Sequence, residues 1–484
     1  MSPLQVILAF AALHAGLVAP VPGVAESPLA SAAGTLALFG GLWLAFHAWS
    51  LVCRRRLDRG QSSGWRGADA AMRATQWASL AALFAAVALL GWLDGVRAAV
   101  GDLPAVDELI ALLPWAAVQG LCAWSMHPIE RRVREAMLLR MIDEGRPIRA
   151  FPSRGRYVSR SLRHAVGFAA LPLLLLLAWS EATEAVFNML VAPGIGGVRM
   201  STAVAGPAML AAQGAGVLGI FLAMPEVLRR VWETRPLPPG RLRDDLLDVC
   251  REAGVRVRDV LLWRTDGLIA NGAVMGLIPR VRYVVLTDAL LDALRRDEVR
   301  AVMAHEAGHV RRRHMVWLGL AVVATALAAA APLGLLLERA GSLLPGGAAG
   351  EAATGVASLL VLGPALLVVG AVSRRFELQA DAFAVQTLSR AADRAADAQP
   401  GLVHASSAEV MASALGRVAL LNGLPRQRFT WRHGTIAGRQ RAIRSEVGRP
   451  LAGMAADLGA RRAKLLIVCL LAGGVAAQAA LLLR

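Results

Sequence analysis

Nine apolar stretches partition this 484-residue chain: residues 4–18, 35–53, 77–93, 109–126, 165–179, 203–224, 315–337, 355–372 and 465–483. A helix needs about 17–25 apolar residues to cross a hydrocarbon layer of ~30 Å, because each residue advances it by roughly 1.5 Å. Most of the nine meet that length, and 4–18 and 165–179 fall just short of it. A short stretch can instead be a buried core helix. The first can also be a signal peptide, although it opens Met-Ser-Pro and lacks a basic leader. With 56 % hydrophobic residues, the chain is too apolar for disorder or for an ordinary soluble domain. The pattern predicts a mainly α, polytopic membrane protein of about nine spans.

The charges then acquire an address. Lys and Arg number 52 against 35 Asp and Glu, a formal net charge of +17. The segment after the second stretch carries Arg54, Arg55, Arg56, Arg59, Arg66 and Arg73, and ten arginines lie between residues 131 and 163. The alternate loops are poor in basic residues: Asp94, Asp107 and Glu108 with one Arg, then Glu181 and Glu184 with Arg199, then Glu338, Arg339 and Glu351. Positively charged loops stay on the cytoplasmic side. Nine spans then place the N-terminus inside and the C-terminus outside.

Two long polar stretches fall on the cytoplasmic side. The expected organisation is an N-terminal membrane region at 1–224, a first polar lobe at 225–314, a membrane hairpin at 315–372, a second lobe at 373–463 and a C-terminal span at 464–484. The first lobe should open with a linker at 236–239 and a helix at 242–250. Strands should follow at 259–263 and 282–286, then a helix from Asp297 as its N-cap. The second should hold helices at 374–388 and 407–421.

The chemistry concentrates in His305-Glu306-Ala307-Gly308-His309. Residues four apart share a helix face, so both imidazoles can reach one tetrahedral Zn²⁺ at about 2.0–2.1 Å. Glu306 lies beside the open coordination position, where it can take a proton from water. The alternative is a surface helix with two solvated histidines. A third ligand must come from elsewhere in the chain. Glu377 and Asp381, also four apart, can complete the metal shell and hold a ligand imidazole by its second nitrogen. On spacing alone they are equally a solvated acidic face.

The HExxH segment, the two-span hairpin after it and the 373–384 segment together resemble the integral-membrane zinc metallopeptidases, the family of the CAAX prenyl proteases and the heat-shock protease HtpX. The resemblance covers roughly residues 241–444. It implies a cytoplasmic α+β, gluzincin-like metalloprotease domain holding one Zn²⁺ per chain. His305, His309 and Glu377 would be its ligands, Glu306 the general base and Asp381 the residue behind a ligand. The 269–276 segment looks like the family's Asn-Ala segment lining the cleft, with Asn271 as a substrate-binding residue and Gly272 where Ala is usual; otherwise it is a simple Asn-Gly turn. The 431–439 segment resembles the family's His-Pro…Arg segment with Gly434 in place of Pro. There His433 or Arg439 would stabilise the oxyanion, the alternative for Arg439 being a salt bridge.

The implied partners are a polypeptide substrate and the lipid bilayer. Quality control of membrane proteins and CAAX-like processing are the candidate roles. A metallosensor-type signalling protease and a transporter with an incidental zinc site are the alternatives from other classes. Nucleic acid is excluded, because the arginines flank spans and lack interleaved aromatics. Only Lys464 among the 52 basic residues is not Arg, which suggests a GC-rich bacterial gene and an inner (plasma) membrane location. Cys53, Cys122, Cys250 and Cys469 show no CxxC spacing and read as small buried hydrophobes. His47 should hydrogen-bond between helices, and His314, ending an Arg-rich run, should snorkel to the interface.

Overall fold

A computed structural model describes residues 27–101, 103, 105–143, 151–165, 170–191, 202–267, 269–341, 348–395 and 401–482, with residues 5, 8, 9 and 13. Apart from those four positions the 4–18 stretch lies outside the described residues, as does Arg199. Among the described residues, seven helices are long and apolar enough to cross a membrane: Pro28–Asp58, Ser63–Leu90, Val106–Glu135, Leu171–Leu190, Val204–Val231, His314–Leu335 and Ala455–Ala480. The 355–372 stretch is helical as well, inside a longer helix. The chain divides into two compact units, residues 1–232 with 346–352, and residues 233–345 with 353–484.

The first unit is helical because its apolar runs are long and its breaks are turn-formers. Helix α1 (Pro28–Asp58) starts with Pro28 in its first turn and the Ser27 hydroxyl accepting the Ala30 N–H at 3.3 Å. A four-residue turn returns the chain into α2 (Ser63–Leu90). The pair can close because Gly64 has no Cβ; one would sit 2.5 Å from the Cys53 carbonyl oxygen. Then come α3 (Trp92–Val100), α4 (Val106–Ala111), α5 (Leu113–Asp143), α6 (Arg154–Ala165), α7 (Leu171–Val191) and α8 (Thr202–Val231). Phe39, Phe46, Leu83, Trp115 and Ile129 form its core. His47 Nδ1 lies 2.9 Å from Ser125 Oγ, the expected bond between helices.

Two expectations about the loops change. Arg54–Arg56 and Arg66–Arg73 belong to the ends of α1 and α2, so the basic "loop" is mostly helix continuing past the apolar stretch. Glu181 and Glu184 lie within α7, which runs on past the 165–179 stretch to Val191; Glu181 accepts the Ala105 N–H at 2.8 Å. A backbone hydrogen bond does not stop where hydropathy does, so helix ends and apolar-run ends need not coincide.

The second unit begins with strand β1 (Thr234–Pro236), where the sequence suggests only the start of a linker. Helix α9 (Arg241–Glu252), β2 (Asp259–Trp263), β3 (Gly272–Met275) and β4 (Tyr283–Thr287) follow, then the short α10 (Asp288–Ala293). The sheet order is β1-β2-β4-β3. β2 and β4 run parallel, while β1 and β3 are antiparallel to their neighbours. β3 is therefore an edge strand, with Gly272 opposite Leu286 and Met275 opposite Tyr283. The Asn271-Gly272 dipeptide opens a strand and does not make a turn.

Helix α11 (Arg296–Arg311) carries the HExxH segment. It starts two residues earlier than an Asp297 cap would allow, with Arg295 as the N-cap: the Glu298 carboxylate accepts the Arg295 N–H at 2.9 Å and so closes the first turn. Leu246, Val249, Leu286, Leu290, Val299 and Met303 bury its inner face. The fully buried Glu298 also accepts from Ser413 Oγ at 2.6 Å and pairs with Arg417 Nε at 3.0 Å, tying α11 to α14 (Ala405–Leu421). Between them run α12 (His314–Gly341) and α13 (Ala348–Ala395, which belongs to this unit from residue 353 on); α15 (Ile436–Arg444) and α16 (Ala455–Leu482) complete the unit. α13 is one continuous 48-residue helix that holds both the 355–372 stretch and the 373–384 segment. No break separates membrane hairpin from second lobe. Ala321, Ala324, Val372, Phe376, Ala460 and Ile467 pack α12, α13 and α16 together.

Candidate active site

Three helices of the second unit deliver the site. α11 presents His305, Glu306 and His309, α13 presents Glu377 and Asp381, and α15 presents Arg439. Small residues allow α11 and α13 to meet closely. A Cβ on Gly308 would stand 3.1 Å from the Phe383 ring, and Ala304, Ala307, Ala380 and Ala384 are all buried. Without that close approach the short Glu377 and Asp381 side chains could not reach the histidines.

The Nε2 atoms of His305 and His309 lie 3.2 Å apart, with Glu377 oxygens 3.7 Å from the first and 3.6 Å from the second. Ligand atoms about 2.0–2.1 Å from a tetrahedral zinc ion lie roughly 3.3 Å from one another. The three side chains therefore fit a metal ion. They form the group of His, Cys, Asp or Glu side chains found able to hold one among the described residues. The far nitrogens of the imidazoles are also occupied. His305 Nδ1 is 2.9 Å from Asp381 Oδ1, although off the line of a straight hydrogen bond, and His309 Nδ1 is 2.9 Å from His314 Nδ1.

Arg439 is buried between the two carboxylates. Its Nε and Nη2 donate to Asp381 Oδ2 and Oδ1 at 2.7 and 2.6 Å, and its Nη1 reaches Glu377 Oε2 at 2.9 Å. Burial alone would raise both carboxyls, but the guanidinium holds Asp381 low and Glu377 well below the usual range. Burial works against the charged form of His305 too. Asp381 and Glu377 outweigh it, and the net effect on that imidazole is upward. His309 has burial and the neighbouring His305 acting together and is lowered.

Glu306 points past this cluster toward the sheet edge. Burial pushes its carboxyl up to about 7, against the opposing effects of His305 and of a hydrogen bond from the Val274 N–H on β3. Val274 lies in the middle of the edge strand, so the strand and the acidic group face one another. The structure thus brings together His305, Glu306, His309, Glu377, Asp381 and Arg439.

His433 joins them from the 426–434 loop. Its Nδ1 is 3.1 Å from Glu377 Oε1, and its side chain is 49 % exposed. Asn271 stands at the entrance to β3 with an exposed side chain, its backbone N–H bonded to Thr287 Oγ1 at 2.9 Å. Arg439 has the salt bridge that the sequence reading held as its alternative, with three nitrogens committed to carboxylates.

Several residues of the site escape the sequence. Asn422 clasps the Ala270 backbone, with Oδ1 accepting its N–H at 3.1 Å and Nδ2 donating to its carbonyl at 2.7 Å. That clasp sets the start of β3 from 152 residues away. His314 does not snorkel; it is 1 % exposed and packs behind His309. A signal for it was present only in retrospect, as a histidine immediately after the Arg311-Arg312-Arg313 run.

Comparison with known proteins identifies the chain's relatives. The profile of peptidase family M48 matches residues 236–439, close to the 241–444 expected from the motifs. A "Protease HtpX homolog" from Aeropyrum pernix is 33 % identical over 228 residues, covering 43 % of this chain and 69 % of that protein. "Protease HtpX" from Pseudomonas fluorescens is 39 % identical over 70 residues, which is 14 % of this chain and only 23 % of that protein. A crystal structure of Ste24p from S. mikatae aligns with a TM-score of 0.45 at 13 % identity, over 88 % of this chain and 99 % of that one. By the family profile and the Aeropyrum relative, the chain belongs to peptidase family M48 and is a membrane-embedded metalloprotease.

Proposed function

We propose that this protein is a zinc endopeptidase that cleaves polypeptides at the cytoplasmic face of a bacterial inner membrane. The observation that supports it most is the tetrahedral spacing of His305, His309 and Glu377, with Glu306 turned from them to the edge strand. The cytoplasmic assignment rests on the arginine-rich segments around Arg54–Arg73 and residues 131–163. Membrane proteins under quality control are the favoured substrates, as the resemblance carried by the HExxH and 373–384 segments implies.

A zinc ion held by His305, His309 and Glu377 would supply Lewis acidity, lowering the pKa of a water toward ~7 and polarising the scissile carbonyl. The chain's own residues do the rest. β3 is the edge strand of the sheet and can add the backbone of an extended peptide beside it, which lays the scissile bond across the Glu306 carboxylate. Glu306 accepts the proton of the attacking water and passes it to the leaving amine, while the Val274 N–H fixes the carboxylate in place. Asp381 holds His305, and Arg439 holds both carboxylates. The exposed His433 is the donor placed to meet the oxyanion.

Glu306→Gln tests the proposal. The full-length variant purified in detergent should keep its zinc and lose cleavage by roughly 10²–10⁴-fold. Normal proteolysis by that variant would refute the assignment.

A further inference from the structure

His314 is buried, polar and unused by the chemistry described above. Its ring stacks on Phe376, with centroids 4.3 Å apart and planes 3° from parallel. Both of its nitrogens are engaged. Nδ1 is 2.9 Å from His309 Nδ1, and Nε2 is 3.0 Å from Gln379 Oε1. Gln379 Nε2 in turn is 2.6 Å from Asp457 Oδ1, an oxygen that also receives Arg312 Nη2 at 3.2 Å.

This chain has one polarity. A carboxylate only accepts, so the Gln379 atom facing Asp457 is the amide nitrogen and the carbonyl faces His314. That carbonyl also only accepts, so His314 carries its hydrogen on Nε2. The lone pair of the neutral ring is then on Nδ1, where it accepts the Nδ1–H of His309. The unprotonated nitrogen of His309 is left as Nε2, the atom 3.2 Å from His305 Nε2 and 3.6 Å from Glu377 Oε1.

We propose that Asp457, Gln379 and His314 form a hydrogen-bond relay that locks His309 in the Nδ1–H tautomer and aims its Nε2 lone pair into the metal site. The inference rests on the metal-centre reading given above. His314 and Gln379 are positioning residues in it, acting through His309. Metal-bound histidines ordinarily find a carboxylate, carbonyl or water for their second nitrogen. Asp381 fills that place for His305, whereas His309 reaches its carboxylate, Asp457, through two intermediaries. The corner between α11 and α12 makes the contact possible: Arg313, at φ 55°, turns the chain so that the first residue of α12 faces back onto α11. Since α12 and α16 are both candidate spans, the packing of two membrane helices sets the aim of a metal ligand.

The test is zinc affinity, measured by chelator competition on the full-length protein in detergent. His314→Phe keeps a ring to stack on Phe376 and deletes both nitrogens; its affinity should fall roughly 10- to 100-fold. His314→Asn restores an acceptor near the position of Nδ1 and should recover most of that loss, which a packing role would not predict. In zinc-free wild-type protein, where no metal fixes the tautomer, the imidazole nitrogen chemical shifts should already show His309 protonated on Nδ1. Wild-type protein that binds no zinc would overturn the metal-centre reading and the relay with it. Zinc-binding wild type with an equally tight His314→Phe, or with Asn no better than Phe, overturns the relay alone. If His314→Phe does not fold, Gln379→Met, which should lose the same affinity, and the wild-type nitrogen shifts decide the matter.

Discussion

Arg439→Met isolates the electrostatic frame of the site. The guanidinium makes three short contacts, at 2.6, 2.7 and 2.9 Å, to carboxylates that are almost fully buried. Methionine has similar reach and no charge, so the substitution leaves Asp381 and Glu377 without their counter-ion. Removing one partner of a buried ion pair costs about 3–5 kcal/mol, because the remaining charge stays desolvated. At about 2–4 °C per kcal/mol for a unit of this size, that is a fall of roughly 6–20 °C in the unfolding midpoint. Tryptophan fluorescence during heating of the detergent-purified protein measures it, with metal present and after chelation. Bound metal neutralises Glu377, so the loss should be largest in the chelated sample. Adding Asp381→Asn to Arg439→Met removes one uncompensated charge and should recover part of the loss. A midpoint unchanged by Arg439→Met, or a double variant as unstable as the sum of the two single ones, would refute this account of the site.

Three further outcomes can be checked independently. Glu377→Ala should lower the zinc content of the purified protein below that of wild type by elemental analysis; an unchanged content would mean that another side chain ligates the metal. Gly308→Ala places a methyl group 3.1 Å from the Phe383 ring and should cost about 1–3 kcal/mol by overpacking, read as a lower unfolding midpoint. For the orientation, Gln61→Cys lies in the exposed turn between α1 and α2, while the native Cys53, Cys122 and Cys250 are buried. With the exposed Cys469 changed to Ser, a membrane-impermeant maleimide should label it only from the cytoplasmic side. Labelling from the outside would reverse the topology.

Much of the site was readable because its parts are local. His305 and His309 share a face through helix periodicity alone, and so do Glu377 and Asp381. Seven of the nine apolar stretches recur as candidate spans for a similar reason, since hydropathy over some twenty residues needs no tertiary context. Asn422 and Gln379 could not be read, because their partners lie 152 and 78 residues away. Arg439 was named from its motif, and its placement between two buried carboxylates emerged only once α13 and α15 were packed together.

His314 shows where local inference stops. Five residues past His309 on an unbroken helix it would stand roughly 140° around the axis, facing away. The helix ends at Arg311, the chain turns at Arg313, and the ring comes back to within 2.9 Å of His309 Nδ1. Residue order and periodicity therefore decided that this is a membrane protein, where its basic segments lie and which side chains share a helix face. Three-dimensional packing decided which faces meet, which charges are neutralised and which nitrogen of His309 is free. Those depend on helix ends and on contacts between distant segments, and no regular spacing along a chain encodes either.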